Sequence, residues 1–323
     1  MSKEDLKTKL EEAKNAENAG DFFSASFHYK NATEIARNLG DSAMITFCKN
    51  KIVEMNLKPS SAYNEIGFEH QIPNEEIDKV VNPIIDGGLE DVLKKVGKHS
   101  ALLPKIRQVE ESAKKTIPIS YQIASLSTIS TDGHLVKGGA DGNTAWTIKM
   151  YSIHQGLITE LYLSRIFKSL VGKGLDEKSL LDYFRNTGIF PEDNLEIITV
   201  GLNRYFAEDY VSSLHILIPQ FENIFLYLSG LVGIDIVALN RGVEVSTQLK
   251  TLSSEHLTSA AFQEKWGCDL CEQIKFVLFE PLGYTLRHKI AHGQISKKEC
   301  TLSNANLILY FFLVLSARVG VNK

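Results

Sequence analysis

Leu302-Ser-Asn-Ala-Asn-Leu-Ile-Leu-Tyr-Phe-Phe-Leu-Val-Leu-Ser-Ala317 is the longest strongly apolar stretch of the chain. Its 16 residues carry three polar side chains near the start, Ser303, Asn304 and Asn306. A membrane span takes about 20 apolar residues, so no span is expected here or elsewhere. A helix apolar on every side belongs inside a bundle. The stretch therefore predicts a buried core helix from about Ser303 to Val319 and a mainly α fold around it.

Working towards the N-terminus, Glu264 to Phe279 reads as a helix, and Ile234 to Leu257, β-branched and polar, as a connecting insertion. Asn194 to Tyr210 and Val211 to Gly233 read as two helices or one kinked at Pro219. The second presents Leu214, Leu217, Ile218, Phe221, Ile224, Phe225 and Leu228 at helical spacing. Glu222 lies mid-helix beside that face, where an acid is costly unless it is paired or solvated. Trp146 to Leu170 predicts one long amphipathic helix, and Asp176 an N-cap for the next.

The first 57 residues read as helices, punctuated by Gly20-Asp21 and Gly40-Asp41. Phe23, Phe27, Ala32, Ile35, Ala36 and Leu39 fall near helical spacing on the second. Gly20, Ala32 and Ala36 resemble the offsets of one tetratricopeptide-type hairpin, which implies a protein partner held by these helices; a plain hairpin fits the same residues. Three regions are expected: a tetratricopeptide-like hairpin over 1–58, a mostly helical middle over 59–195, and a helical bundle over 196–323.

Composition narrows the function classes. The 323 residues hold 35 basic and 39 acidic side chains, net charge -4, so the chain is no overall basic nucleic-acid binder. Residues 201–323 hold 11 of each sign. The most basic stretch, Lys94 to Lys115, has seven basic residues against two acids; it fits a solvated helix face or a phosphate-tracking surface. Four cysteines exclude a disulfide scaffold and favour the cytoplasm. Cys268-Asp-Leu-Cys271 is a lone C-x-x-C, better read as core cysteines than as a zinc site. Thr131 to Thr144 holds four glycines but lacks phosphate-loop spacing, and reads as a loop. Neither a cofactor nor a metal is expected.

The chemistry-bearing motif is Arg287-His288-Lys289-Ile290-Ala291-His292-Gly293. Gly293 suits a helix C-terminus. His288 and His292, at i and i+4, share a helix face and could hold a metal, but Lys289 stands where a zinc-protease helix has Glu. Arg287 and His292 diverge by about 140° on an ideal helix. They line one cleft only if the helix end tightens or a second chain completes the site.

The motif, following the helix with Leu217-Ile-Pro-Gln-Phe-Glu222-Asn, resembles the HEPN superfamily, in particular the branch marked by R-N-x-x-x-H-G. The resemblance covers about residues 200–323. Arg287 and His292 match the family's arginine and histidine; His288 stands where the branch usually has Asn. The resemblance implies a dimeric helical bundle and a metal-independent ribonuclease, of a kind found in toxins and antiviral defence, with Glu222 pairing Arg287 as an acid does in many such domains. Exposed and facing water is the other reading of Glu222.

These residue types suit the chemistry. RNA cleavage without metal needs a base at the 2′-hydroxyl, an acid at the leaving 5′-oxygen and a cation on the phosphate. The product would carry a 2′,3′-cyclic phosphate. A homodimer supplies two Arg287–His292 pairs in one cleft; within one chain, His288 would be the second proton-transfer group. The field for RNA would come from Lys94–Lys115 or from Lys289, Lys297 and Lys298. The competing expectation is a non-catalytic dimeric interaction or RNA-binding scaffold, in which Arg287 is structural.

Overall fold

The structure, a computed structural model, describes residues 2–58, 72–119, 121, 126–129, 133–241 and 245–319. It is mainly α. In chain order the helices and strands are α1 (Lys3–Asn18), α2 (Phe22–Asn38), α3 (Ser42–Leu57), α4 (Asn74–Ile85), α5 (Leu89–Lys98), α6 (Ile106–Thr116), β1 (Leu126–Ile129), β2 (Leu135–Ala140), α7 (Gly142–Leu157), α8 (Ser164–Gly172), α9 (Glu177–Thr187), α10 (Glu192–Phe206), α11 (Tyr210–Leu231), β3 (Val237–Arg241), β4 (Val245–Leu249), α12 (Ser254–Thr258), α13 (Ala260–Trp266), α14 (Cys268–Leu278), α15 (Leu286–Ala291) and α16 (Leu302–Val319). They pack as two units, Met1–Gln71 with Pro118–Ala145, and Ile72–Ile117 with Trp146–Lys323.

In the first unit α1, α2 and α3 form successive antiparallel hairpins. Gly20 and Gly40 take left-handed backbone at φ 76° and 71°, which a side chain would resist. Asp21 and Asp41 then accept the Ser24 and Met44 N–H groups as N-caps. The buried stripe of α2 is Ala25, Tyr29, Ala32 and Ala36. Phe23 and Phe27, expected on that stripe, are 55% and 56% exposed instead. Each lies two residues, about 200°, round the helix from a buried position. Tyr29 donates to Glu17 Oε2 at 2.8 Å, and Lys51 holds Oε1 at 2.8 Å. Burial and the Glu17 charge push the Tyr29 phenol up to about 12. In the described part of the glycine-rich segment, Leu135–Ala140 is strand β2, antiparallel to β1, rather than a loop.

The second unit is organised round α16. Every residue from Ala305 to Ala317 is buried. By length and apolarity this 18-residue helix would also cross a membrane, but here protein encloses it. Helix α5 packs against it so closely that a Cβ on Gly97 would fall 2.3 Å from the Leu313 carbonyl oxygen. Helix α11 also packs on α16, with Phe221 against Phe311 and Phe312, and buries Leu214, Leu217 and Ile218. Pro219 lies inside α11 without ending it. The core that holds residues 196–323 also takes in residues from α4 to α10.

Three local expectations are corrected. The helix expected over Trp146 to Leu170 carries a π segment, Ile158–Leu163, between α7 and α8. Thr159 donates back to the Gln155 carbonyl at 2.9 Å, and Ser164 to the Thr159 carbonyl at 3.2 Å; such bonds compete with the regular helical ladder. The helix expected over Glu264 to Phe279 breaks into α13 and α14 at Gly267, whose φ is 86°. The insertion over Ile234 to Leu257 contains an antiparallel hairpin, β3–β4, pairing Val237 with Leu249 and Leu239 with Thr247, and the short helix α12.

Candidate active site

The motif occupies α15, a helix of six residues. Its entry is tightly built. Gly283 donates to the Glu280 carbonyl and Tyr284 to the Phe276 carbonyl, folding the loop back onto the end of α14. A Cβ on Gly283 would lie 2.1 Å from the Phe276 carbonyl oxygen, so only glycine fits. Thr285 follows in left-handed backbone at φ 56°, its hydroxyl donating to the Glu280 carbonyl at 2.7 Å. Leu286 is buried and anchors the helix. At the exit Gly293 has φ 65°, with Gly293 N–H on the Ile290 carbonyl and Gln294 N–H on the Lys289 carbonyl. This paired arrangement is a Schellman ending, and it leaves His292 as the capping residue.

Glu222 and Arg287, 65 residues apart in sequence, meet. Arg287 Nε donates to Glu222 Oε2 at 2.9 Å and Nη2 to Oε1 at 3.3 Å. The Glu222 side chain is only 13% exposed and that of Arg287 27%, so the water-facing reading of Glu222 is replaced. Oε1 also accepts the Leu252 N–H at 3.2 Å, which ties the chain after β4 to the same carboxylate. The guanidinium carbon lies 6.0 Å from the centre of the Phe279 ring. Among the described residues Nη1 has no partner, so part of the guanidinium fork is left for another acceptor.

His288 and His292 are exposed, with ring centroids 4.4 Å apart at 55°. Partial burial, then the neighbouring His292 and Arg287, hold the His288 imidazole below its ordinary pKa. The shift favours the neutral imidazole, the form that accepts a proton. Among the described residues no hydrogen bond joins Arg287 to His292; the His288 ring packs on that of His292, and His288 follows Arg287 in the chain.

The expected cations divide. Lys289 is engaged by Glu299, which also accepts the Ser296 N–H at 2.9 Å and its hydroxyl at 2.8 Å. Burial raises the Glu299 carboxyl, but Lys289 and Ser296 outweigh it and the net shift is downward. Lys297 and Lys298 are exposed. Of the basic stretch, Lys94 pairs with Glu90 at 2.7 Å, Lys95 donates to the Pro83 and Asp86 carbonyls, and Lys105 pairs with Asp269 at 3.1 Å. The two cysteines of the C-x-x-C part company: Cys271 is buried in the core and Cys268 exposed. No group of three or more metal-ligating side chains occurs among the described residues.

Sequence reading missed Leu252 and Phe279 as supports of Arg287. The first acts through its backbone and leaves no signal in residue type; the second reads as one more core aromatic. Comparison with protein-family models, with curated proteins and with solved structures finds no match to this chain.

The Glu222–Arg287 pair makes a measurable prediction. Removing one partner of a buried pair costs about 3–5 kcal/mol, and an exposed pair is worth less than about 1. For this half-buried pair Glu222→Ala is expected to cost about 1–3 kcal/mol in urea unfolding, and Glu222→Gln, which keeps an acceptor, less. A double-mutant cycle with Arg287→Ala should return a favourable coupling; additive losses would show the pair to be incidental.

Proposed function

We propose that this chain is a metal-independent endoribonuclease of HEPN type. The observation that carries the reading is the doubly bonded Glu222–Arg287 clamp. It fixes one side of a guanidinium and leaves Nη1 open on the same short helix as two exposed imidazoles. In the proposed reaction a neutral histidine, for which His288 is suited, takes the proton of a ribose 2′-hydroxyl. The 2′-oxygen bonds to the adjacent phosphorus, the bond to the 5′-oxygen breaks, and an imidazolium protonates that leaving oxygen. Arg287 holds the phosphate oxygens as charge builds on them. Glu222 is a positioning residue, since it touches Arg287 and not the substrate. A second copy of the chain would bring a second Arg287 and His292 and complete the acid–base set. A toxin or defence setting follows from the motif resemblance, and work in the cytoplasm from the low cysteine count.

The test is purified protein with single-stranded RNA in excess EDTA. Fragments ending in 2′,3′-cyclic phosphate are expected, with activity per chain rising with protein concentration if the site is shared between copies. Intact RNA at every concentration would overturn the reading. One observation favours the non-catalytic scaffold: the same clamp joins α11, α15 and the segment after β4, as a purely structural ion pair would.

A further inference from the structure

A second basic site lies at the other end of α14 from the motif. Where α5, α6 and the Gly267 break between α13 and α14 come together, a groove of about 530 Å³ opens. This is the size of pocket that takes a small ligand. Among the described residues four cations line it, Lys98, Lys105, Arg107 and Arg318, against one acid, Asp269.

That acid is already committed. Its Oδ1 accepts the Ile106 N–H and its Oδ2 the Lys105 ammonium, each at 3.1 Å. Lys98 and Arg107 are exposed and enter no ion pair among the described residues. Arg318 reaches the Trp266 carbonyl oxygen. Burial lowers its pKa, and Tyr310, Cys271 and Asp269 pull the other way. Gly267 opens α14 with no side-chain cap, so the first N–H groups of that helix add to the same field. Leu103, Ile106 and Leu270 give the groove an apolar wall, with Ser100 and Gln108 as uncharged polar neighbours.

We infer that this groove binds a small phosphorylated molecule, its phosphates on Lys98, Arg107 and Arg318 and its uncharged part against the apolar wall. Apolar lining with a few converging charges is how nucleotide-sized ligands are held. Because α14 has eleven residues, the groove lies about 15 Å along its axis from the loop that leads into the motif. The site is therefore separate from Arg287 and His292, and the inference holds whether or not those residues cleave RNA.

Cys268 supplies the reporter. It lies on the groove wall and is the only exposed cysteine of the four. Maleimide labelling of the full chain is followed at fixed ionic strength, with inorganic pyrophosphate, ATP or a short single-stranded RNA as probe. At ten times its dissociation constant, a ligand that covers Cys268 slows labelling about tenfold. Slowing by pyrophosphate or ATP is expected, to the same degree in His292→Ala. It should be lost in the Lys98→Glu, Arg107→Glu double variant and weakened in Arg107→Ala, with thermal midpoints unchanged because both side chains are exposed. Three results would each overturn the inference: unchanged labelling with pyrophosphate and ATP, equal protection in the charge-reversed variant, or protection by RNA alone.

Discussion

His292→Ala is expected to lower RNA cleavage in EDTA by about 10²–10⁴-fold, the range a positioned acid or base contributes. Its thermal midpoint should stay within about 2 °C of the parent. The imidazole is exposed at the cap of α15 and packs on the His288 ring. The helix ends through backbone bonds to Gly293 and Gln294, which the substitution leaves in place. Arg287→Ala should abolish cleavage too, but it strands Glu222 and so lowers stability as well. His292 is thus the cleaner probe of chemistry. Cleavage persisting undiminished in both variants would assign it to a contaminant and end the ribonuclease proposal. His288→Ala separates the two geometries: activity retained points to acid and base from two copies, activity lost to a single chain.

Phe221→Ala is expected to have the largest effect on stability, about 3–5 kcal/mol in urea unfolding. Phe221 is fully buried beside Glu222 on α11. Its ring stacks on Phe225 at 5.8 Å and meets Phe311 at 5.3 Å and Phe312 at 5.7 Å. Removing it opens a cavity against α16, which neighbours already packed on other sides cannot refill. Against a total of about 5–15 kcal/mol for a typical domain, such a loss is a large share. A change below about 1 kcal/mol would mean that α11 and α16 repack, and that the aromatic cluster is looser than its ring geometry implies.

The elements legible in the sequence were those with a local physical cause. The core helix α16 follows from an apolar surface with no polar side, and the turns at Gly20-Asp21 and Gly40-Asp41 from a left-handed glycine followed by a capping aspartate. What escaped depended on distant partners or on one backbone angle. Gly267 inside an apolar helical pattern is compatible with a continuous helix, and only its φ of 86° makes it a break. The π segment arises from side chains bonding to their own helix, which periodicity does not register. Phe23 and Phe27 outrank alanine on any hydrophobicity scale, yet the small residues face inward because three helices must approach closely. In the site, the motif on α15 was visible as a run of residues. The pairing of Arg287 with Glu222 was one of two open readings, because α11 and α15 are joined only through the fold.

The placement of α16 has a bearing on how the protein is made. The hydroxyl of Tyr310 donates to the carbonyl of Leu102 across 208 residues of chain, and Gly97 is shaped for the backbone at Leu313. At about 5–20 residues per second, the ribosome needs roughly 10–40 s between the two sides of that contact. For all that time α5 exists without the helix it fits. The early helices of the second unit cannot complete their core until residues 302–319 have been made. A chain interrupted before that point would be an unfinished core and not a shorter version of the same protein, so translation itself times when the α11–α15 site is assembled.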